Sequence, residues 1–192
     1  MLIYKSLECI PHDMTTVVSI GEFDGVHIGH QKLIRTLVRR AKELEAIAAV
    51  VTFDPHPLSY FRPGNSDAML TPLPFKLRLF EELGIGAAVV LPFTKGLASM
   101  SPREFVSQVL VSGLRVKEIH EGANFRFGNS AQLADLGREF GFSVKTHTPI
   151  QHDGERVSSS RIRKLVSEGN TQLAGILLSR SPWRRLEAKD EV

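Results

Sequence analysis

A chain of 192 residues is long enough to bury a core of its own without support from disulfides or metals. Its net charge is only +3, with basic residues scattered along the chain, which argues against a dedicated nucleic-acid-binding protein. The single cysteine, Cys9, excludes an internal disulfide, and the lack of a signal-peptide pattern or a long apolar run leads us to expect a cytoplasmic protein without membrane association.

Apolar runs alternate along the chain with segments in which apolar residues recur at helical spacing. The predicted strands are 16–20, 46–53, 87–91, 116–121 and 143–148. The predicted helices are 29–45, 74–83, 102–112, 131–140, 159–168 and 171–178. This alternation predicts the α/β class: a Rossmann-like, doubly wound and mainly parallel five-stranded sheet with helices on both faces.

Local signals mark several helix ends. Ser101 and Glu104 flank Pro102 in a pattern typical of a capped N-terminus. Glycines stand where four predicted helices should stop: Gly84, Gly113, Gly141 and Gly169. The solvent face of the first long helix is predicted to carry Arg39, Arg40 and Lys42. We expect one domain over residues 1–182 and a charged, frayed tail over 183–192.

The motif His27-x-Gly29-His30 lies between the first predicted strand and the first long helix. Free backbone N–H groups and the positive end of the helix dipole attract phosphate at such a junction. Gly29 lets a ligand approach the main chain closely, because it has no Cβ. His27 and His30 are three residues apart, so both imidazoles can donate to one polyphosphate. The motif therefore predicts a nucleotide-phosphate site.

Unusual clusters follow all five predicted strands. In a parallel sheet the carboxyl ends of the strands share one edge, where ligands bind. The clusters are residues 27–30, Asp54-Pro55-His56-Pro57, Pro92-Phe93-Thr94-Lys95, Gly122-Ala123-Asn124-Phe125-Arg126-Phe127-Gly128 and residues 154–163. Their convergence on one edge predicts a single composite site.

Three consecutive serines, Ser158 to Ser160, open a predicted helix. One of them alone would suffice as the N-cap. Three hydroxyls with arginines nearby predict a second phosphate clamp. We expect Arg163 rather than Arg161 to reach the ligand, because Arg163 lies one turn from the last two serines.

Two further clusters suit a flat heterocyclic ligand. The flanking prolines hold His56 in a stiff, extended loop. Phe125 and Phe127 flank Arg126, a pattern that suits stacking on a ring with a phosphate nearby. All four clusters interpreted so far also have ordinary structural explanations. The serines and the paired histidines can be helix caps, and the histidines can also bind a metal. The segment around His56 can be a stiff turn, and the aromatic residues can belong to an edge strand.

With these segments in order, the chain closely resembles the adenylyltransferase module of bacterial bifunctional riboflavin kinase/FAD synthetases, from about residue 16 to 178. The segments that carry the resemblance are 21–31, 52–57, 91–93, 125–128 and 154–163. His-x-Gly-His and Ser-Ser-Ser-x-x-Arg mark only the wider nucleotidylyltransferase superfamily. Pro-His-Pro and Phe-Arg-Phe-Gly narrow the resemblance to the flavin branch.

The resemblance implies transfer of AMP from ATP to the phosphate of FMN, giving FAD and pyrophosphate with Mg²⁺. By the same resemblance, the catalytic residues are His27, His30, Ser159, Ser160 and Arg163. Nucleotide or flavin contacts are implied at Gly21, Phe23, Asp24, Gly29, His56, Pro57, Asn124, Arg126, Arg156 and Ser158. No protein ligand to Mg²⁺ is expected, since this ion takes mostly phosphate and water oxygens. A small flavin-side insertion, and a separate riboflavin kinase that supplies FMN, are also implied.

Three features depart from the family pattern. The chain stops after Trp183, where the family continues into a kinase barrel, so kinase activity is not expected. Glu22 stands where the family has a small or neutral residue, and the segment between Gly128 and Leu133 is shorter than usual. Two alternatives stay open: an adenylyltransferase that acts on another phosphate acceptor, and a module that binds ATP or flavin without turnover.

Overall fold

The structure, a computed structural model, describes residues 1–57, 69–123 and 130–180. Its strands are β1 Leu2–Tyr4, β2 Thr16–Ile20, β3 Ile47–Asp54, β4 Ala87–Pro92, β5 Val116–Gly122, β6 Ser143–His147, β7 Gln151–His152 and β8 Glu155–Arg156. Its helices are α1 Ile28–Glu43, α2 Leu73–Glu82, α3 Lys95–Ser99, α4 Pro102–Phe105, α5 Ser130–Phe140, α6 Ser159–Ser167 and α7 Thr171–Leu178. A π-helix, Val106–Gly113, continues α4. None of the described helices is long and apolar enough to cross a membrane.

The predicted α/β class with a parallel, doubly wound sheet is confirmed. The sheet has the order β1-β4-β3-β2-β5-β6, and all its strands are parallel. It has six strands rather than the predicted five, because the short edge strand β1 pairs with β4. Leu2 and Ile3 in this strand are about half exposed, so no buried apolar run marks it in the sequence. Strands β7 and β8 form a separate antiparallel hairpin.

Two apolar layers cover the sheet, one on each face. Side chains that alternate along β2 and β3 point to opposite faces. One layer packs Val18, Val51 and Leu110 around the π-helix, and the other packs Val17 and Ile34 against α1 and α2. A smaller third cluster joins α6 to α7. The sheet is thereby buried on both sides, and only its edges and strand ends are left for function.

Helix ends follow the glycine signals in three of the four cases. Gly84, Gly141 and Gly169 have positive φ angles of 90°, 83° and 77°, the backbone conformation that ends a helix at little cost for glycine. Gly113 is instead the last residue of the π-helix, and Arg115 takes the left-handed conformation, with φ 43°. The helix therefore ends at Gly113, but without the left-handed glycine that marks the other three helix ends.

The topology reverses between two neighbouring strands, β2 and β5. From β2 the chain adds β3 and β4 on one side of the sheet, and from β5 it adds β6 on the other. Such a reversal leaves a crevice at the carboxyl ends of the two strands, because their connections diverge. The His27-x-Gly29-His30 motif follows β2 directly and so lies at this crevice.

Candidate active site

A cleft of about 630 Å³ opens at the carboxyl ends of the sheet strands. Its walls come from the loop after β2, the loop after β3, the ends of β5 and β6, and the first turn of α6. The predicted site residues that form its wall are Asp24, His27, Gly29, His30, His56, Arg156, Ser158, Ser159, Ser160 and Arg163. The imidazole pair and the serine turn therefore face one common cleft.

His27 and His30 form a stacked pair at the start of α1. The ring centroids are 3.6 Å apart and the ring planes differ by 15°. His27 is the N-cap of the helix, and its Nδ1 accepts the backbone N–H of His30 at 3.3 Å. The proton of neutral His27 therefore lies on Nε2, where it can be donated to a ligand.

Burial keeps both imidazoles neutral near pH 7. It lowers the pKa of His27 to about 4, and the positive charges of Arg156 and Arg180 add to this shift. It also lowers the pKa of His30 well below its usual range, with a further contribution from His27 and Lys76. Neutral rings can stack at 3.6 Å, whereas two imidazolium ions would repel each other. The pair therefore acts as hydrogen-bond donors rather than as a fixed double positive charge.

The loop that presents this pair has a strained backbone. Phe23 and Val26 both have positive φ angles, 48° and 39°, although neither is glycine. Such a conformation is rare for a β-branched residue and persists only where the surrounding structure enforces it. Phe23 is fixed by edge-to-face packing against Phe80 and His30. The strained turn thereby orients the imidazole of His30.

Asp24 joins this loop to the helix on the opposite side of the cleft. Its carboxylate accepts a hydrogen bond from Arg163 at 2.6 Å and from the backbone N–H groups of Leu70 and Thr71 at 3.0 and 3.1 Å. Its backbone carbonyl accepts the hydroxyl of Ser159 at 2.8 Å. Asp24 is therefore a residue that positions Arg163 and the first turn of α6.

The three serines at the start of α6 have different environments. Ser158 is the N-cap and accepts the N–H of Arg161, while Ser159 donates to Asp24. The hydroxyl of Ser160 lies 3.4 Å from Arg163. The N–H groups of Ser159 and Ser160 lie in the first helical turn, where no preceding carbonyl of the helix can accept them. This turn can therefore bind an anion through both main-chain and side-chain donors.

The two arginines of α6 serve different purposes. Arg163 forms part of the cleft wall. Arg161 instead donates to the carbonyls of His152 and Glu155 and pairs with the Glu155 carboxylate, which fixes the β7–β8 hairpin. Arg163 thus lies at the cleft, whereas Arg161 stabilises the hairpin.

Glu22 lies in the cleft wall beside His56. The distance from Oε2 of Glu22 to Nε2 of His56 is 3.4 Å. Beneath them Lys76 is buried and donates from Nζ to the backbone carbonyl of Glu22 at 2.8 Å and to Thr52 at 3.0 Å. Burial raises the pKa of Glu22 to about 7, against the lowering effect of the Lys76 ammonium. The Glu22 carboxyl therefore changes its charge near neutral pH, within the cleft itself.

Several predicted contact residues are not part of the cleft wall. Phe23 is only 4 % exposed, because its left-handed backbone turns the ring into the core. Gly21 abuts that ring, and Pro57 lies outside the wall as well. Phe23 and Gly21 therefore lie behind the loop and outside the cleft wall. Asn124 and Arg126 lie outside the described residues.

Four polar residues near the cleft were not singled out from the sequence. Arg180 donates to the carbonyl of Gly25 and to Thr71, and thereby fixes the end of α7 to the loop after β2. Lys76 supports Glu22, as described above. Strand β5 carries Glu118 and His120, each 2 % exposed, although a buried strand usually lacks charged residues. Charged residues inside a predicted buried strand were a usable signal for Glu118 and His120. The local sequences of Lys76 and Arg180 carry no such signal.

Arg40 is also placed differently from the expectation of a solvated helix face. Its Nε donates to Oε1 of Glu118 at 2.9 Å. Arg39 and Lys42 are exposed, as predicted. The helix therefore directs one arginine back toward β5, because the buried Glu118 carboxylate requires a partner.

Among residues 1–57, 69–123 and 130–180, no group of three or more His, Cys, Asp or Glu side chains is arranged so that it could hold a metal ion. Asp24 is engaged by Arg163 and two backbone N–H groups. A divalent cation in the cleft would therefore take its ligands chiefly from a bound phosphate chain and water.

Comparison with known proteins gives consistent matches over most of the chain. The family model of FAD synthetase matches residues 9–161. A bifunctional riboflavin kinase/FMN adenylyltransferase from Buchnera aphidicola is 34 % identical over 170 residues, and one from Haemophilus influenzae is 36 % identical over 172. These matches cover 86 % and 87 % of this chain but 54 % and 56 % of the relatives, so the chain spans about half their length.

A solved structure shares the fold. The crystal structure of a protein described as a macrolide-efflux protein from Streptococcus pneumoniae superposes with a TM-score of 0.82 at 28 % sequence identity. The match covers 94 % of this chain and 72 % of that one.

Proposed function

The chain belongs to the FAD synthetase family, and from this premise we propose that it transfers AMP from ATP to the phosphate of FMN, giving FAD and pyrophosphate. The observation that carries the proposal is the common cleft. His27 and His30 face it from one side, and Ser159, Ser160 and Arg163 face it from the other. Two groups of phosphate-binding donors on opposite walls suit a triphosphate that lies between them.

The reaction needs one bond to form and one to break. An oxygen of the FMN phosphate attacks the α-phosphorus of ATP, and the bond from that phosphorus to the oxygen bridging the β-phosphorus breaks. Pyrophosphate leaves with the bridging oxygen and its electron pair. The attacking phosphate is already ionised near pH 7, so no general base is required.

The protein therefore contributes positioning and charge stabilisation. His27 donates from Nε2 to the departing phosphates, and His30 lies stacked against it. Arg163, held by Asp24, supplies a fixed positive charge on the other wall. Mg²⁺ would enter as the complex with ATP, since the phosphates themselves provide most of its ligands.

We assign the two ends of the cleft to the two substrates. His56 and Glu22 border one end, which the family resemblance gives to the flavin. The other end is bordered by Gly122, Ala123 and the residues that follow β6. A Cβ on Gly122 would meet no atom within 4 Å among the described residues, so the cleft is open at this position, and we assign this end to the nucleoside. We also propose that a riboflavin kinase supplies the FMN, in the cytoplasm where ATP is available.

The test is to incubate the protein with MgATP and FMN and to separate the flavins by chromatography. Formation of FAD, with one pyrophosphate released for each FAD, is the expected result. If ATP and FMN bind but no FAD forms, the protein is a binding module instead. If AMP is transferred only to another phosphate acceptor, the assignment of FMN is wrong.

A further inference from the structure

Behind the β5–β6 end of the cleft, two buried side chains and one half-buried side chain form a continuous line of hydrogen bonds. Oε1 of Glu118 lies 2.9 Å from Nε2 of His120, and Nδ1 of His120 lies 2.8 Å from Nε2 of His147. His147 forms part of the cleft wall. We refer to Glu118, His120 and His147 as the histidine chain. None of the three has a part in the proposed chemistry at His27 and His30.

The far end of the histidine chain is anchored by an ionised carboxylate. Glu118 accepts from Arg40 at 2.9 Å and from Ser143 at 2.8 Å, in addition to its bond with His120. Burial alone would raise the pKa of Glu118, but the hydrogen bonds from Arg40, Ser143 and His120 outweigh it and the net shift is downward. Glu118 is therefore an acceptor only, so Nε2 of His120 must carry a proton.

The direction of each following bond is then determined. Burial lowers the pKa of His120, against the raising effect of Glu118, so this imidazole is neutral near pH 7 and its Nδ1 has no proton. Nδ1 of His120 can thus only accept, and Nε2 of His147 must donate to it. Burial is the main cause that lowers the pKa of His147 as well. Neutral His147 therefore keeps its lone pair on Nδ1.

We propose that His147 is a specificity-determining residue whose Nδ1 accepts a hydrogen bond from a donor on the nucleoside half of ATP, with Glu118 and His120 as the residues that fix its tautomer. This proposal rests on the proposed function, because it needs ATP in the cleft. The donor is either the exocyclic amine of the base or a ribose hydroxyl. Since His147 uses Nε2 within the histidine chain, Nδ1 is its other ring nitrogen and the one that can meet a ligand in the cleft.

The decisive experiment combines one substitution with three analogues of ATP. Binding of ATP, purine-riboside triphosphate, 2′-deoxy-ATP and 3′-deoxy-ATP is measured by titration calorimetry with the wild type and with His147→Phe. The substitution is expected to weaken ATP binding about fivefold to tenfold, as for one lost neutral hydrogen bond. The analogue that lacks the contacted donor should be weakened in the wild type and not weakened further in His147→Phe. Independent, additive losses for all three analogues overturn the proposal.

The second measurement does not depend on a substitution that could disturb folding. Nitrogen-15 NMR of the histidine rings reports directly which nitrogen carries the proton. The expected result is His147 protonated on Nε2 and unprotonated on Nδ1, and the opposite tautomer overturns the proposal.

The matched control for the calorimetric titrations is His12→Phe, because His12 is exposed and lies outside the cleft wall. This variant should leave ATP binding unchanged.

The two proposals fail in different ways. If the wild type makes no FAD from ATP and FMN, the proposed function fails. If FAD forms but the analogue losses are additive or the tautomer is reversed, only the role of His147 fails.

Discussion

Oδ2 of Asp24 lies 2.6 Å from Nη1 of Arg163, and this contact joins the two walls of the cleft. Asp24 is 139 residues away from Arg163 in sequence, and its side chain is only 5 % exposed. The same carboxylate holds the backbone of Leu70 and Thr71. One buried side chain thus fixes the loop before the imidazole pair, the chain entering α2 and the cationic wall formed by α6.

Replacing this carboxylate should reduce both stability and activity. Asp24→Asn keeps the size of the side chain but removes the charge opposite Arg163 and one of the acceptor oxygens. We expect the free energy of unfolding to fall by about 1–3 kcal/mol, as for a buried acceptor lost from charged and backbone donors. FAD formation should fall as well, because Arg163 loses its orientation. Urea denaturation and a flavin product assay check both, with the exposed Asp153→Asn as control. A variant as stable and active as the wild type would contradict the positioning role of Asp24.

Removal of one imidazole should lower turnover at least about tenfold. His30→Ala takes away one donor to the phosphates and the stacking partner of His27. The expected cost is that of losing one hydrogen bond formed in the transition state. Initial rates at saturating ATP and FMN measure it. His12→Ala, at an exposed histidine outside the cleft wall, should retain the wild-type rate. Equal rates for His30→Ala and the wild type would exclude His30 from the chemistry.

The raised pKa of Glu22 predicts a pH-dependent stability with a definite sign. Its pKa is about 7 in the folded protein and about 4.5 when the chain is unfolded, so the folded state binds the additional proton. The stabilising contribution of protonated Glu22 is complete below about pH 4.5 and is lost as the pH rises through 7. Glu22→Gln should therefore stabilise the protein at pH 8, on the order of 1–3 kcal/mol, and much less at pH 4.5. Thermal or urea unfolding at the two pH values measures the difference.

The change of charge at Glu22 should also make the affinity for MgATP depend on pH. Above pH 7 the ionised Glu22 carboxylate repels phosphate, so the affinity of the wild type for MgATP should weaken between pH 6.5 and 8 by more than that of Glu22→Gln. The exposed Glu45→Gln is the matched control and should behave like the wild type. If both variants and the wild type lose affinity in parallel, Glu22 does not control the pH dependence.

The positions of the main strands could be predicted from the sequence, and so could the meeting at the cleft of the clusters that follow β2, β3, β5 and β6. The cluster at residues 92–95, which follows β4, is not part of the cleft wall. Runs such as Thr16–Ile20 are buried throughout, and hydrophobic periodicity reports burial one residue at a time. Periodicity carries no information about partners from distant elements. Arg40 donates to Glu118, which lies 78 residues further along the chain. From the position of Arg40 on its helix alone, the prediction was a side chain exposed to solvent.

Backbone conformation was the second feature that the sequence did not indicate. Phe23 stands in a segment for which the family resemblance implied a nucleotide or flavin contact. Its φ angle of 48° turns the ring into the core, and nothing in the local sequence specifies a left-handed conformation for a phenylalanine. The functional loop thus departs from local preference at the residues that orient His30, as is common at strained active sites.

Gly29 provides a prediction in which activity and stability change in opposite directions. A Cβ at this position would lie 3.1 Å from Cε1 and Nδ1 of His27, so Gly29→Ala should push the His27 ring away from His30. Because Gly29 lies inside α1 with no positive φ, alanine should favour the helix by about 0.5–1 kcal/mol. We expect turnover to fall at least about tenfold while the unfolding free energy stays the same or rises. Gly96→Ala is the matched control, because its Cβ would meet nothing closer than 3.7 Å within helix α3 and turnover should not change. A fall in the stability of Gly29→Ala would mean that the substitution damages the loop itself, whereas unchanged turnover would mean that the position of the His27 ring is not critical.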